Sequence, residues 1–518
     1  MSRTGQAGAA ARPARAAGLL LHPTSLPGRF PIGDLGPSAV AMLDWMVSAG
    51  FSVWQVLPLG PTGMGDSPYN ALSAFAGNPL LISPEALVND GLLPPEALAA
   101  WEVEESSQVD FAAAVACKES LLRQAFLRFE SGEFPALAAG LERFADSCRR
   151  AAWLDDWALY ASLKREHGEA SWLDWEPSLR RREPSALRLK AAELADEIRY
   201  AIFCQFLFFR QWAAVRGAAE SRGIRILGDV PIYVAPDSAD TWANSHLFEL
   251  EPGGGLRAVA GVPPDYFSAD GQRWGNPLYR WDLLRDQGFA WWIARLRAQL
   301  EIAHSLRLDH FRGFVAYWRI PQRHATARRG KWVKGPGEAL FKALRKGLGG
   351  LPLVAEDLGQ IDARVHALRR RLDLPGMRVL QFGFGVADSD HSPHRHEPRS
   401  AVYTGTHDND TTRGWFAAAG DDERHRVLTY LGATPETITA AMLRSAYGSV
   451  AELAIVPLQD VLDLGSEARM NTPGRGSGNW SWRVRHADVA ADLPGRMRDL
   501  AAATARLPAA PTPSAEGG

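Results

Sequence analysis

The sequence predicts an α/β protein, a (β/α)8 TIM barrel with mainly helical insertions and no separate C-terminal β domain. Three observations lead there. Eight short apolar runs, each ending in a loop and followed by a helical pattern, alternate along the chain, and such an alternation argues for a closed parallel barrel. Residues 85–222 interrupt it with helical spacing and no strand signal, which marks an insertion. No Gly-x-Gly-x-x-Gly turn follows the first strand and no P-loop occurs, so the phosphate cradle of an open doubly wound sheet is missing.

Residues 1–17 are Ala-, Arg- and Gly-rich, carry Arg3, Arg12 and Arg15 and contain no acid. They read as a disordered tail, because the apolar run that follows is too brief for a secretory core. Residues 18–84 open the barrel. Gly18–Pro23 is an apolar run ending in a Pro/Gly loop. Pro37 to Gly50 reads as a helix with Val40, Leu43 and Val47 on one face, and Ser52–Leu57 is the second strand. Pro58–Pro79 is a Gly/Pro-rich loop containing Gly65-Asp-Ser-Pro-Tyr-Asn70. Residues 85–222 form the helical insertion, with Val115, Leu122, Phe126 and Phe129 at helical spacing and breaks near 94, 132–135 and 184. Its last helix returns the chain to the barrel. Residues 223–506 supply the other strands: Ile224–Asp229, Leu306–Asp309, Leu353–Glu356, Val379–Phe382, Val402–Thr406 and Leu453–Val456. Residues 507–518 are Pro/Ala-rich and read as a second disordered tail.

The bulk numbers narrow the class. In 518 residues, 46% are hydrophobic and 22% charged, an ordinary globular balance. Fifty-seven Lys and Arg against 59 Asp and Glu leave a formal charge of -2, which gives no footprint for nucleic acid. Three scattered cysteines, Cys117, Cys148 and Cys204, suit neither a disulfide framework nor a zinc cluster; they read as reduced thiols in a cytoplasmic protein. No stretch matches the roughly 20 apolar residues of a bilayer span, so no membrane partner is expected; Tyr200–Phe209 comes nearest, between Arg199 and Arg210. Oligomeric state is not written in the sequence.

Candidate chemistry sits at strand ends. In Ser305-Leu-Arg-Leu-Asp-His-Phe-Arg-Gly-Phe314, Arg307 and Asp309 alternate with apolar residues and share a face, so the guanidinium keeps the carboxylate ionised. Two further strands end in acids: Glu356 in Leu353-Val-Ala-Glu-Asp-Leu-Gly359 and Asp408 in Tyr403-Thr-Gly-Thr-His-Asp-Asn-Asp410. In a closed barrel the three converge, and carboxylates crowded in a low-dielectric pocket cannot all stay charged. Glu356, after Leu-Val-Ala, is the candidate for the protonated acid and Asp309 for the anion. Asp357 is the alternative to Glu356, but strand alternation lets only one of the two face the pocket. An acid and an anion about a scissile bond is the two-carboxyl logic of glycoside cleavage, and a separation of about 5–5.5 Å would mean retention. Trp54, Trp242, Trp274, Trp318, Trp415, Trp480 and Trp482 lie in or near strand-end loops, where aromatic faces stack on sugar rings. Trp153, Trp157 and Trp175 read as packing of the insertion. His391, His394 and His396 offer metal-ligand spacing, but Pro393 and Pro398 place them on a polar surface loop, so no metal is expected there.

These motifs resemble the 4-α-glucanotransferases, also called amylomaltases or disproportionating enzymes, relatives of the α-amylases. The resemblance runs from Leu21-His-Pro-Thr-Ser-Leu-Pro27 to Asn479-Trp-Ser-Trp-Arg483. Its most specific segments are Gly228-Asp-Val-Pro-Ile-Tyr-Val234, Arg273-Trp-Gly-Asn-Pro277, Arg307–Gly313, Val354–Gly359, Gly405–Asp410 and Gly465–Gly474. It implies a retaining transglycosylase that moves α-1,4-glucan segments to the 4-hydroxyl of an acceptor glucan or glucose, with no metal or other cofactor. It implies Asp309 as nucleophile, Glu356 as acid/base and Asp408 as transition-state stabiliser. Arg307, His407 and Asp229 would hold the sugar that becomes covalently bound, Tyr69 and Trp274 would serve neighbouring subsites, and Asn471 would line the acceptor side. Gly261-Val-Pro-Pro-Asp-Tyr-Phe267 matches a loop over the cleft. A plain glucan hydrolase with the same carboxylates, and an inert glucan-binding module, are the readings to be separated by experiment.

Overall fold

The computed structural model describes residues 15–264 and 269–508. Eight parallel strands form the barrel: β1 (Ala16–Leu20), β2 (Val53–Gln55), β3 (Arg225–Val230), β6 (Ser305–Leu308), β9 (Leu353–Ala355), β10 (Gly376–Val379), β11 (Ser400–Tyr403) and β12 (Leu453–Pro457). Their order is β10-β11-β12-β1-β2-β3-β6-β9. Between the end strands of that order, Ala355 N–H donates to Pro375 O at 2.8 Å. One rung further on, Met377 N–H donates to the Asp357 carboxylate at 2.7 Å, so a side chain takes the place of a ladder carbonyl. The eight strand candidates read from the sequence are these eight strands, with ends shifted by a few residues. β1 starts at Ala16, inside the stretch 1–17 expected to be a tail; residues 1–14 lie outside the described residues, as do 509–518 of the C-terminal tail.

Close packing explains individual residues. A Cβ on Gly18 would stand 2.9 Å from Ile455 Cγ1, so β1 and β12 approach only because that side chain is missing. The helix Pro37–Ser48 buries Ala39, Met42, Leu43 and Met46. Val47, expected on that face, is exposed: the buried stripe is turned toward the methionines. In the helix Phe111–Phe129 the buried face runs through Ala114, Cys117, Leu121, Leu122 and Phe126, and Val115 points to solvent.

The helix Ala195–Ser221 is buried all round from Tyr200 to Phe208, where it lies between barrel and insertion. Its Gln205 holds Gly77 N–H and O (2.8 and 2.9 Å), and its Trp212 Nε1 donates to Ile302 O. Trp153, Trp157, Trp172 and Trp175 of the inserted segment form a second, aromatic core with Phe75 and Trp242 from the flanking barrel chain. Among the described residues, no helix is long and apolar enough to cross a membrane.

A second sheet was not legible in the sequence. β4 (Ala258–Val262), β5 (Gln272–Pro277), β7 (Ala316–Pro321) and β8 (Lys331–Lys334) pair antiparallel in the order β5-β4-β7-β8. It stands at the end of the barrel where β6 delivers Asp309, since β7 begins within a few residues of that strand's end.

Candidate active site

Strand register brings the acids together. Asp229 pairs with Arg307 across β3 and β6, and Leu308 pairs with Ala355 across β6 and β9. The ladder runs on beyond the strands: Glu356 N–H donates to Leu308 O and Phe311 N–H to Glu356 O, each at 3.0 Å. Asp309 and Glu356 therefore leave neighbouring strands at the same level. Arg307 lies between two carboxylates, donating Nη2 to Asp309 Oδ1 at 2.8 Å and Nη1 to Asp229 Oδ2 at 2.5 Å. Tyr69 Oη donates to the same Asp229 oxygen at 2.8 Å. Burial raises the Asp229 carboxyl and the Arg307 guanidinium opposes it. The Asp229 side chain is fully covered, so it bears on the cleft through Tyr69 and Arg307.

Glu356 is 8% exposed, and burial first, then the charge of Asp309, pushes its carboxyl well above the ordinary carboxylate range. Its two oxygens accept His310 N–H at 2.6 Å and Leu358 N–H at 3.0 Å. His310 adopts a left-handed backbone (φ 51°), which turns the chain off the strand line right after Asp309 and aims that N–H at Glu356. The neighbouring Asp357 points away and pairs with Arg369 at 3.0 Å.

Across the site, His407 stacks on Tyr69 (centroids 4.9 Å apart, 13° between planes), and Trp480 lies within 5.8 Å of the tyrosine ring. His407 Nε2 stands 3.4 Å from Asp408 Oδ1, which also accepts Asn471 Nδ2 at 2.6 Å. Asn471, expected along the acceptor side, is thus a direct neighbour of Asp408. The Asp408 side chain remains 46% exposed, open to a ligand. Trp274 is 38% exposed and stands edge-on to His310 at 4.8 Å. Burial, helped by His407, lowers the neighbouring His22 to about 3.

Several expectations are corrected. Trp54 and Trp242 are fully buried and cannot meet a sugar: in β2 it is Gln55 that turns into the barrel, where it accepts Tyr403 Oη, and alternation sends Trp54 outward against Trp212. Trp480 and Trp482 are also largely buried. His391 and His396 are tucked in rather than displayed on a surface loop, with His391 Nδ1 accepting Val379 N–H and His396 bonded to Ser449 Oγ and His391 O. Among the described residues, no group of three or more His, Cys, Asp or Glu could hold a metal ion. Of Gly261–Phe267, residues Asp265–Phe267 lie outside the described residues; Pro264 O accepts Gln360 Nε2 at 3.4 Å. Sequence reasoning missed His310 and Arg469, whose parts are a backbone N–H to Glu356 and a guanidinium donating to Asp408 O at 2.8 Å. Neither leaves a periodicity or spacing signal.

A family model described as 4-alpha-glucanotransferase matches residues 21–488. The chain is 49% identical over 502 residues to the 4-alpha-glucanotransferase of Thermus thermophilus, covering 95% of this chain and 99% of that protein. It is 44% identical over 502 residues to the chloroplastic/amyloplastic 4-alpha-glucanotransferase of Solanum tuberosum, covering 95% of this chain and 87% of that one. Among solved structures it is similar to the amylomaltase from Streptococcus agalactiae in complex with acarbose, with TM-score 0.92, 35% identity and coverage of 95% and 100%.

Proposed function

Since this chain belongs to the 4-alpha-glucanotransferase family, enzymes that transfer α-1,4-glucan segments, we propose that it does so by double displacement on Asp309. The observation that carries this reading is the pair of acids leaving neighbouring strands in opposite states of readiness. Asp309 is held by Arg307, and Glu356 is buried with a raised carboxyl. Glu356 gives its proton to the glycosidic oxygen while Asp309 attacks the anomeric carbon, so the reducing-end fragment departs and a glycosyl ester forms. Glu356, now a carboxylate, takes the proton of an acceptor 4-hydroxyl, and that oxygen displaces Asp309.

Asp408, steadied by Asn471, binds sugar hydroxyls more strongly as the ring becomes oxocarbenium-like. Arg307 and His407 hold the sugar at the point of attack, with Asp229 fixing Arg307 and Tyr69 from behind. Trp274 offers its exposed ring to a neighbouring glucose. The segment around Pro264 helps exclude water, which favours transfer over hydrolysis. The site needs no cofactor for these steps.

Maltotriose decides the reaction: glucose together with chains longer than maltotriose supports transfer, whereas shortening alone would make the protein a hydrolase. Asp309→Asn abolishes exchange to at least about 10³-fold below the parent. Retained exchange would remove the proposed nucleophile.

A further inference from the structure

We propose that Asp460, on the short helix after β12, is a positioning residue that keeps Asp408 and His407 in place by fastening both ends of the loop that carries them. Asp460 is 2% exposed and touches neither partner directly. Its Oδ2 accepts Thr404 Oγ1 at 2.5 Å and Thr412 Oγ1 at 2.8 Å, and its Oδ1 accepts Thr412 N–H at 2.7 Å. Thr404 follows the last residue of β11 and Thr412 opens the next helix, so the segment between them, with His407 and Asp408 at its middle, leaves and returns to one carboxylate.

The rest of the loop is ordered locally. Asn409 Oδ1 accepts Thr406 N–H at 3.0 Å, and Gln381 Nε2 donates to Asp410 O at 2.9 Å. Gln381 also donates its backbone N–H to Thr404 O at 3.2 Å, so it braces the loop from the β10 side, whereas Asp460 is the carboxylate that both threonine hydroxyls share. The chain after β12 then reaches the tip itself through Arg469 and Asn471. One stretch therefore grips the Asp408 loop at base and apex. A buried carboxylate that accepts three donors is costly to leave half-satisfied, so it is a stiff anchor.

This inference rests on Asp408 acting in the transition state, and displacement of such a group by about 1 Å can cost 10²-fold in rate. The loss falls chiefly on kcat, because the contacts of Asp408 and His407 are to the reacting sugar and tighten as its ring becomes oxocarbenium-like, while Asp460 touches nothing that holds the rest of the donor.

Asp460→Asn, Asp460→Ala, Thr404→Val and Asp408→Asn, assayed with maltotriose, test it. In Asp460→Asn the amide oxygen still accepts Thr412 N–H and the two hydroxyls turn to accept from the amide NH2, so activity stays within about fivefold of the parent. Asp460→Ala lowers kcat about 100-fold with KM within about threefold. Thr404→Val, which removes a single hydroxyl, lowers kcat about tenfold and serves if Asp460→Ala does not fold. A folded Asp460→Ala or Thr404→Val with unchanged kcat, or an Asn variant as damaged as Ala, overturns the positioning role. If Asp408→Asn keeps its activity, the reading of Asp408 itself falls, and that outcome is separate from a failure at Asp460.

Discussion

In the proposed double displacement Glu356 is an acid in one half of the reaction and a base in the other, and its surroundings suit both states. Burial and the charge of Asp309 favour the proton, while the N–H groups of His310 and Leu358 are already aimed at the carboxylate that remains once the proton is given. The pH consequence has a definite sign. Bond cleavage needs the protonated form, so kcat/KM on maltotriose falls as pH rises through the Glu356 pKa, which lies above the ordinary carboxylate value. A glycosyl fluoride needs no protonation to leave, so its first step loses that alkaline limb. Glu356→Ala should lose about 10²–10⁴-fold on maltotriose and far less in the fluoride's first step. It should then accumulate a protein-bound glycosyl group that intact-mass measurement detects; equal losses on both donors would exclude Glu356 as the acid. At this scale the sequence was informative where a side chain is the first beyond a strand, as at Asp309 and Glu356. It was misleading at Trp54, one position earlier in its own strand's alternation, and silent at His310, whose part is a backbone N–H.

The element that aims Glu356 is β9, and β9 is fastened by Asp357, just past its end. Asp357 closes the seam to β10 through Met377 N–H and Arg369, and Arg369 is shared with Glu397 at 3.0 Å. Gly376 makes room for this: a Cβ there would lie 2.7 Å from Asp357 Oδ2 and 3.0 Å from Arg369 Nε. Gly376→Ala therefore pushes a buried ion pair apart. It should cost about 3–5 kcal/mol in denaturant unfolding and lower kcat, because the strand that shifts also carries Glu356. An alanine variant as stable and active as the parent would show that the seam tolerates a methyl group. The barrel strands were legible because each is a short apolar run ending at a loop. The antiparallel sheet was not, because Ala316–Pro321 and Lys331–Lys334 mix Trp, Arg and Lys and are only part buried, leaving no clean alternation.

Across the whole molecule, the ends of the barrel do different work. The site occupies the end where the strands finish, and the opposite end is held by Arg506, a residue inside the described part of the chain just before the second tail. Its guanidinium is fully buried and donates to five carbonyls, those of Ala16, Tyr447, Ser449, Ala451 and Glu452, at 2.7–3.2 Å. Ala16 begins β1 and Glu452 immediately precedes β12, so this one side chain ties the first and last strands where they start. Burial lowers its pKa to about 10, and it stays charged at neutral pH. Nothing in the sequence pointed to it, since a lone arginine before a Pro/Ala-rich tail reads as solvated surface. Arg506→Met keeps the aliphatic stem and removes every donor, leaving those carbonyls to whatever water can enter. It should cost about 3–5 kcal/mol of unfolding free energy, while kcat and KM at 25 °C stay within about twofold because no contact of Arg506 reaches the Asp309–Glu356 end. A variant that unfolds no more easily would show the five bonds to be replaceable by solvent. One that stays folded but loses kcat would mean that the two ends of the barrel are mechanically coupled.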